Sequence, residues 1–370
     1  MTKIRVLTIS KPYVSAAYRE KLRILAKDSR FEIGLITPEN WAGQNFEPSS
    51  EDNFWHRQLP IVWNGKNHFF LFRNLKSVMK DFAPDVLNVE EEHYSAVTFQ
   101  CYRLAVQMGI PSCFYTWQNI YKTYPPPFSW IEKYVFKHTK TAIAGNEEAK
   151  DVLIKKGFSG QIAVIPQMGA SVFSGSGSQK NIDLPRDRFV VTYAGRLVEE
   201  KGIDDFIQAI AKLKDSNILG LIIGSGPREE HLRQMVTSLG IENHVRFVGV
   251  VPSHDIYPYY QHSQALCLPS HTRPNWKEQF GRVLIESMLY GVIPIGSNSG
   301  EIPHVIADAG KVFPEGSVDG LAGKMRELMT MSPAEFAMLK EKAIKRVKTH
   351  FTNEVVAEKF AQVFVDLSSR

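Results

Sequence analysis

A chain of 370 residues, 44% hydrophobic and 22% charged, is long enough for two domains of about 150 to 200 residues, each with its own core. No apolar run approaches the roughly 20 residues of a bilayer span, and the strand-like start MTKIRVLTIS reads as no cleaved leader. Three separated cysteines, Cys101, Cys113 and Cys267, set up neither a disulfide framework nor a zinc cluster, so a reducing cytoplasm is the expected compartment.

The formal charge of +5 sits wholly in the first half: residues 1–170 carry 21 Lys or Arg against 16 Asp or Glu, and residues 171–370 carry 23 of each. Two readings of that excess stand open, an ordinary solvated surface or attraction to anionic membrane faces and acceptors. No helix-turn-helix, zinc finger or RNA-binding motif accompanies it, so it gives no nucleic-acid signal.

In chain order, Lys3 to Ser10 reads as a strand leading through KPYVSAAY into a helix that ends near Ala26, and Phe31 to Ile36 as a second strand. Residues 37–60, polar with Trp41, Phe46, Phe54 and Trp55, read either as an acceptor-side loop or as a packed surface excursion. A helix from Asn74 to Phe82 is broken at Ala83-Pro84, and the strand Asp85 to Val89 ends in Glu90, Glu91, Glu92 and His93. That cluster either acts on an acceptor hydroxyl at a strand's carboxyl end or caps the helix Tyr94 to Met108. Strand Ser112 to Thr116 runs into WQNIYKTYPPPFSW, where three prolines forbid regular structure, and helix 128–138 follows. Next come strand Thr141 to Ala144, a helix from Glu147 to Lys156 capped by Asn146 and stopped at Gly157, and strand Ile162 to Ile165.

Gly169 to Pro185 is dominated by small and polar residues and reads as the domain boundary, with 171–185 as linker. The domains expected are therefore 1–170 and 186–350. The second repeats the alternation: strands at Phe189 to Tyr193, Leu219 to Ile223, Val245 to Val248, Ala265 to Leu268 and Val292 to Ile295 are separated by helices. Helices at about 317–330, 333–347 and 353–368 close the chain. Alternation of short apolar strands with helices predicts an α/β class with mostly parallel, doubly covered sheets.

Two segments of the second half carry chemistry. Between Ala194 and the helix after Gly202 lies GRLVEEKG, where Gly195 permits a tight turn and Arg196 and Lys201 put two cations beside a helix N-terminus, which suits a diphosphate. In PSHTRPNWKEQFGRVLIESMLYGVIPIGSNSG, Glu278 precedes a helix opening near Phe280 and Glu286 lies within it, eight positions on. The first amides there, at Phe280, Gly281, Arg282 and Val283, lack intrahelical partners and face an anion's needs. The loop IIGSGP, with Gly224 and Gly226, lacks the third glycine of a dinucleotide fingerprint, since Arg228 and Glu229 follow Pro227. A nicotinamide-dependent nucleotide-sugar epimerase would carry such a fingerprint near residue 10, and none is there.

The Glu278-x7-Glu286 pair, the following Gly-Val-Ile-Pro and the Gly195-Arg196-x4-Lys201 segment together resemble the donor-site signature of retaining nucleotide-sugar glycosyltransferases, family 4 of the GT-B type. The resemblance covers nearly the whole second domain and, more loosely, the alternation of the first. It implies two Rossmann-like domains facing across a cleft, with the final helix 351–370 packing back on the first. It implies that Glu286 meets the donor ribose, that Glu278 contacts the sugar near its reacting face, and that Arg196, Lys201 and the amides at 280–283 hold the diphosphate. Gly195 and Gly224 would pack beside the donor, while Arg246 to Val251 would meet the nucleobase.

The implied reaction needs no cofactor and no essential metal: a nucleoside-diphosphate sugar gives its sugar to a hydroxyl acceptor, a glycan, a lipid-linked intermediate or a small molecule. The alternative is a non-catalytic nucleotide-sugar binding protein on the same fold, against which intact Arg196, Lys201, Glu278 and Glu286 argue. Two departures fall in the first domain. Ser10, Lys11, Pro12 and Tyr13 stand where the family often has paired glycines, and Trp117, Gln118 and Asn119 where it often has a histidine. Tyr13, His93, Gln118 and Asn119 are accordingly the acceptor-side candidates, with peripheral membrane contact through this basic domain as the expected partner surface.

Overall fold

The computed structural model describes residues 3–171, 182, 184, 185 and 187–369, so most of the expected linker 171–185 lies outside the described residues. The chain divides into two compact units, Met1–Gly169 with Asn353–Arg370, and Ala170–Thr352.

In the first unit, β1 (Ile4–Ile9), β2 (Phe31–Pro38), β3 (Trp55–Leu59), β4 (Val86–Val89), β5 (Ser112–Thr116), β6 (Thr141–Ala144) and β7 (Gln161–Val164) form one parallel sheet in the order β7-β6-β5-β4-β1-β2-β3. Helices α1 (Glu20–Lys27), α2 (Leu75–Phe82), α3 (Ala96–Met108), α4 (Phe128–Lys137) and α5 (Glu147–Lys155) connect the strands. Successive strand residues point to opposite faces, so each strand supplies two cores. Leu7, Leu87 and Phe114 pack against α2 to α5, while Val6, Val86 and Tyr115 pack under Leu22 and Leu25 of α1. The closing helix, Asn353–Ser368, buries Val356, Phe360, Val363 and Leu367, spaced four, three and four apart on one helical face, in that second core.

The second unit is built alike from β8 (Phe189–Ala194), β9 (Ile218–Ile223), β10 (Val245–Gly249), β11 (Ala265–Leu268), β12 (Ile293–Ser297) and β13 (Lys311–Phe313), parallel throughout in the order β10-β9-β8-β11-β12-β13. Its helices are α6 (Ile203–Ala211), α7 (Glu229–Ser238), α8 (Tyr257–His262), α9 (Arg282–Met288), α10 (Ile302–Ile306), α11 (Val318–Met329) and α12 (Pro333–His350). Ala265 and Cys267 of β11 face the core under α6 and α11, and Leu266 and Leu268 face the one under α9 and α10. In each sheet the strand order reverses beside the first strand, between β1 and β4 and between β8 and β11. Loops leaving the carboxyl ends there diverge and open a crevice.

Three elements differ from the sequence reading. Residues 37–60 are not one loop: they hold a two-residue antiparallel ribbon, Asn40–Trp41 with Gln44–Asn45, and then the edge strand β3, paired through Gly34 to Trp55. A second small ribbon joins Ile61–Val62 to Leu71–Phe72, and β13 supplies the far edge of the other sheet. The helix after Glu278 begins at Arg282 rather than near Phe280, which places Glu286 just past its first turn.

Candidate functional site

The reversal point of the second sheet is assembled by glycines that let backbones touch. A Cβ on Gly224 would lie 1.9 Å from the Gly195 carbonyl oxygen, and one on Gly202 would lie 2.0 Å from that of Pro269. Gly202 also has φ +63°, a left-handed geometry open to glycine at little cost. The loop after β8 is thereby drawn against the loop after β11. Tyr193, fully buried, donates its hydroxyl to the Arg196 carbonyl at 2.7 Å and fixes the first turn of that loop.

The result is a compact charged cluster. Lys201 Nζ lies 2.5 Å from Glu278 Oε2, which also accepts the Ser270 hydroxyl at 2.8 Å. Behind them, Gly300 (φ +53°) leaves only 2.1 Å between a built Cβ and the Glu278 carbonyl oxygen, which accepts the Glu301 amide at 3.1 Å. Glu278 is 7% exposed. Lys201 also sits 5.1 Å from the Trp276 ring centre. Arg196 differs: its side chain is 69% exposed and its guanidinium lies 3.8 Å from Glu200. The two cations of the GRLVEEKG loop are therefore unequal, one held by a carboxylate and one projecting into solvent.

The α6 N-terminus is already supplied with acid. Asp204 receives Arg228 at 2.6 Å, and Asp205 receives His271 Nε2 at 2.6 Å. That hydrogen bond raises the His271 pKa above its ordinary value against an opposing desolvation. At α9, Gly281 (φ +77°) packs on Leu268, and Phe280 makes an edge contact with Phe351 at 5.6 Å. Arg282 Nε donates to Glu286 Oε1 at 2.6 Å across one turn. Burial pushes the Glu286 carboxyl up, and Arg282 pulls the other way. Val283 is half-buried at the same end of the helix. The structure thus brings Gly224 against Gly195, joins Lys201 to Glu278, and joins Arg282 to Glu286 on one helix.

In the first unit the acceptor-side candidates behave otherwise. Tyr13 is 1% exposed and donates to Glu90 at 2.7 Å. His93 is fully buried between Phe114 and Phe136, with Nε2 at 3.0 Å from Glu132. Neither reaches solvent, which corrects their expected availability to an acceptor hydroxyl: aromatic packing and a buried carboxylate have claimed both side chains. Gln118 and Asn119 are also mostly buried. Gln118 donates to the Ile120 carbonyl at 3.2 Å and Asn119 to Glu148 at 3.1 Å, while Gln118 Oε1 has no hydrogen-bond partner among the described residues.

The acidic run is split three ways. Glu90 accepts Lys21 at 2.7 Å, Glu91 accepts the Lys11 amide at 2.8 Å and pairs with the Lys11 ammonium, and Glu92 accepts Thr116 at 2.6 Å and the Trp117 amide at 2.9 Å. Each carboxylate holds a different loop at the sheet's carboxyl edge rather than capping α3 as a group. Ser95 makes that cap, accepting the Thr98 amide. Among the described residues no group of three or more His, Cys, Asp or Glu is placed to hold a metal ion.

Residues 178–346 match the family model described as "Glycosyl transferases group 1". The second unit carries a glycosyltransferase group 1 domain. Among curated relatives, 2-deoxystreptamine N-acetyl-D-glucosaminyltransferase of Niallia circulans is 27% identical over 144 residues, 38% of this chain and 36% of that protein. The chain spans 36%, 47% and 65% of the length of the first three curated relatives it matches. A glycosyltransferase from Rickettsia africae superposes with a TM-score of 0.79 at 18% identity over 99% of both chains. Anabaena HepE in complex with UDP superposes with 0.74 at 18% identity, over 99% of this chain and all of that one. Those likenesses show the GT-B fold.

Within the group 1 domain, sequence reasoning missed Ser270, Gly202 and Gly300, which build the seat of Glu278. The only signal for them is the recurrence of small residues at the ends of strands, in PSH and SNSGE, where neighbouring loops must touch.

Proposed function

We propose that the chain is a retaining glycosyltransferase that moves a sugar from a nucleoside-diphosphate sugar, bound to the second unit, to a hydroxyl acceptor on the first. One observation carries the reading: at the reversal point of the second sheet, the Lys201, Glu278 and Ser270 cluster stands beside an exposed arginine on a glycine-built loop. A departing diphosphate develops negative charge as its bond to the anomeric carbon breaks, and fixed cations stabilise that charge without reorganising. Arg196 supplies a planar fork for phosphate oxygens and Lys201 a point charge that Glu278 orients. Glu278 is then placed to meet the sugar, and Glu286 the ribose hydroxyls, on exchanging part of its bond to Arg282. The amides from Phe280 to Val283 add donors for the phosphates.

The acceptor oxygen attacks the face that the phosphate leaves, and its proton passes to the leaving phosphate oxygen, so configuration is retained. With cations doing the work of charge neutralisation, the reaction needs neither an essential metal nor a cofactor. The acceptor is a glycan, a lipid-linked intermediate or a small molecule, and the reading includes polysaccharide assembly at the cytoplasmic face of a membrane. Among the described residues no helix is long and apolar enough to cross one.

Thermal shift against a panel of nucleoside-diphosphate sugars identifies the donor, because a ligand bound only by the folded state raises the midpoint. Anomer-resolved NMR of the product reports retention. Turnover undiminished in excess chelator is expected, and full loss rescued by Mn²⁺ overturns the metal-free reading. Donor binding with neither transfer nor slow donor hydrolysis would leave a binding protein instead.

A further inference from the structure

Four large aromatic side chains are exposed among the described residues: Trp63 at 61%, Phe69 at 46%, Tyr121 at 42% and Trp130 at 66%. All four belong to the first unit, on two segments that meet. Phe69, on the turn inside the second small ribbon, packs edge-on against Phe128 at the start of α4, with ring centres 4.8 Å apart. The turn is tight, with the Lys66 amide donating to Trp63 and the Phe69 amide to Lys66.

Helix α4 is amphipathic in an unusual sense. Ile131 and Val135 are buried in the core, while Trp130, Lys133 and Lys137, three and four residues apart, form an exposed stripe. Lys122 and Lys140 flank it and are exposed, as is Lys66 on the neighbouring turn. Tyr121 lies 4.6 Å from the Lys155 ammonium at the end of α5. Residues 117–146 contain a single acid, Glu132. Glu147 and Glu148 lie just beyond Asn146, so within 117–146 only Glu132 stands near the stripe, and it is turned inward to His93 at 3.0 Å and Lys156 at 2.5 Å. Residues 60–71 contain none.

We propose that this surface docks the first unit on an anionic lipid bilayer. Indole and phenyl rings settle at the level of lipid headgroups, where one side is wet and the other apolar, and the α4 lysines, whose one acidic neighbour on that helix turns inward, are drawn to the negative surface potential. A sugar platform would pair its rings with outward carboxylates or amides for hydroxyl groups. On α4 the one acid is committed to the interior and the exposed side chains are Trp130, Lys133 and Lys137, while on the neighbouring turn the Asn64 amide is tied to Asn40. The proposal deepens the reading of a transferase working at a membrane face and rests on it only for the nature of the acceptor.

Vesicle flotation without donor or acceptor tests it, so that failure of docking and failure of glycosyl transfer are told apart. The full chain is expected to float with equimolar phosphatidylcholine and phosphatidylglycerol at low salt, to be released by high salt, and to stay behind with phosphatidylcholine alone. Lys133→Glu with Lys137→Glu should lower partitioning more than about tenfold, and Trp130→Ser should lower it by a further measurable factor at an unchanged unfolding midpoint. Both are surface changes, and the milder pair Lys133→Gln with Lys137→Gln guards against misfolding. No flotation with anionic vesicles, or equal flotation of wild type and variants, overturns the proposal. So does an effect of Trp130→Ser confined to self-association or to binding of a soluble glycan.

Discussion

At the reversal point of the second sheet, Lys201 and Glu278 meet beside an arginine that is 69% exposed. At the matching point of the first sheet, Glu90 and Glu91 are 3% and 4% exposed and are paired to Lys21 and Lys11. One topology thus carries two electrostatic designs. In the second unit, glycines at 195, 202 and 224 bring backbones into contact and leave charge at the rim. In the first, Ser10 to Tyr13 replace such glycines, and bulkier side chains turn inward to be satisfied by one another. The carboxyl edge of a parallel sheet is a place where chemistry can sit, and residue choice in the first strand-to-helix loop decides whether it is left open or filled.

The sharpest way to break this comparison is to remove a buried charge from the first unit. Lys21 is 1% exposed, its ammonium lies 3.5 Å from the Phe360 ring centre of the closing helix, and burial lowers its pKa while Glu90 opposes the shift. Lys21→Met strands the Glu90 carboxylate, and loss of one partner of a buried pair costs about 3 to 5 kcal/mol. Urea unfolding should show that loss, with nucleotide-sugar affinity of the folded protein unchanged. A midpoint near wild type would mean that the first unit's charges are not what fills its crevice.

In the second unit the expected effect is on turnover. Lys201→Ala and Glu278→Gln should each slow transfer by about a hundredfold or more with a much smaller change in unfolding midpoint. Near-normal rates in both would remove the site. Gly224→Ala comes next: with φ +132° and a carbonyl 1.9 Å away, the added methyl must push the loops after β8 and β9 apart, at a cost of about 1 to 3 kcal/mol. Gly157→Ala in the first unit, at φ +85° with open space around it, should cost about 1 kcal/mol. Equal losses at the two glycines would deny the second sheet its special closeness.

Much of this was legible in the chain. Parallel strands buried on both faces read as short apolar runs, and Ile218–Ile223 and Ala265–Leu268 lie where those runs do. Asn146 caps α5 through a local bond to the Ala149 amide at 2.7 Å, a partner three residues away. What was not legible depends on distant partners. Trp55–Leu59, WHRQL, is an edge strand with polar residues on its open side and looks like loop. The run EEEH reads as acting on an acceptor hydroxyl or as capping the next helix, yet Glu90 and Glu91 are satisfied by lysines 69 and 80 positions earlier. The seat of Glu278 needs Gly300 and Ser270, and the E-x7-E spacing is silent about both.

The smallest effect concerns the pH response of the second unit. His271 Nε2 bonds to Asp205 at 2.6 Å, joining the loop after β11 to the first turn of α6, and its folded pKa is raised by that bond. A histidine whose pKa rises on folding adds stability that is fully present below its unfolded pKa, about 6.5, and is lost as pH rises through the higher folded value. The side chain is 22% exposed, so screening keeps the contribution below about 1 kcal/mol. Comparing wild type with His271→Gln by thermal unfolding across neutral pH should therefore give a difference that is largest on the acid side and shrinks toward alkaline pH. A gap that widened with rising pH would show that the imidazole serves this loop in its neutral form, and the second crevice would then be held together, like the first, without a titrating contact at its rim.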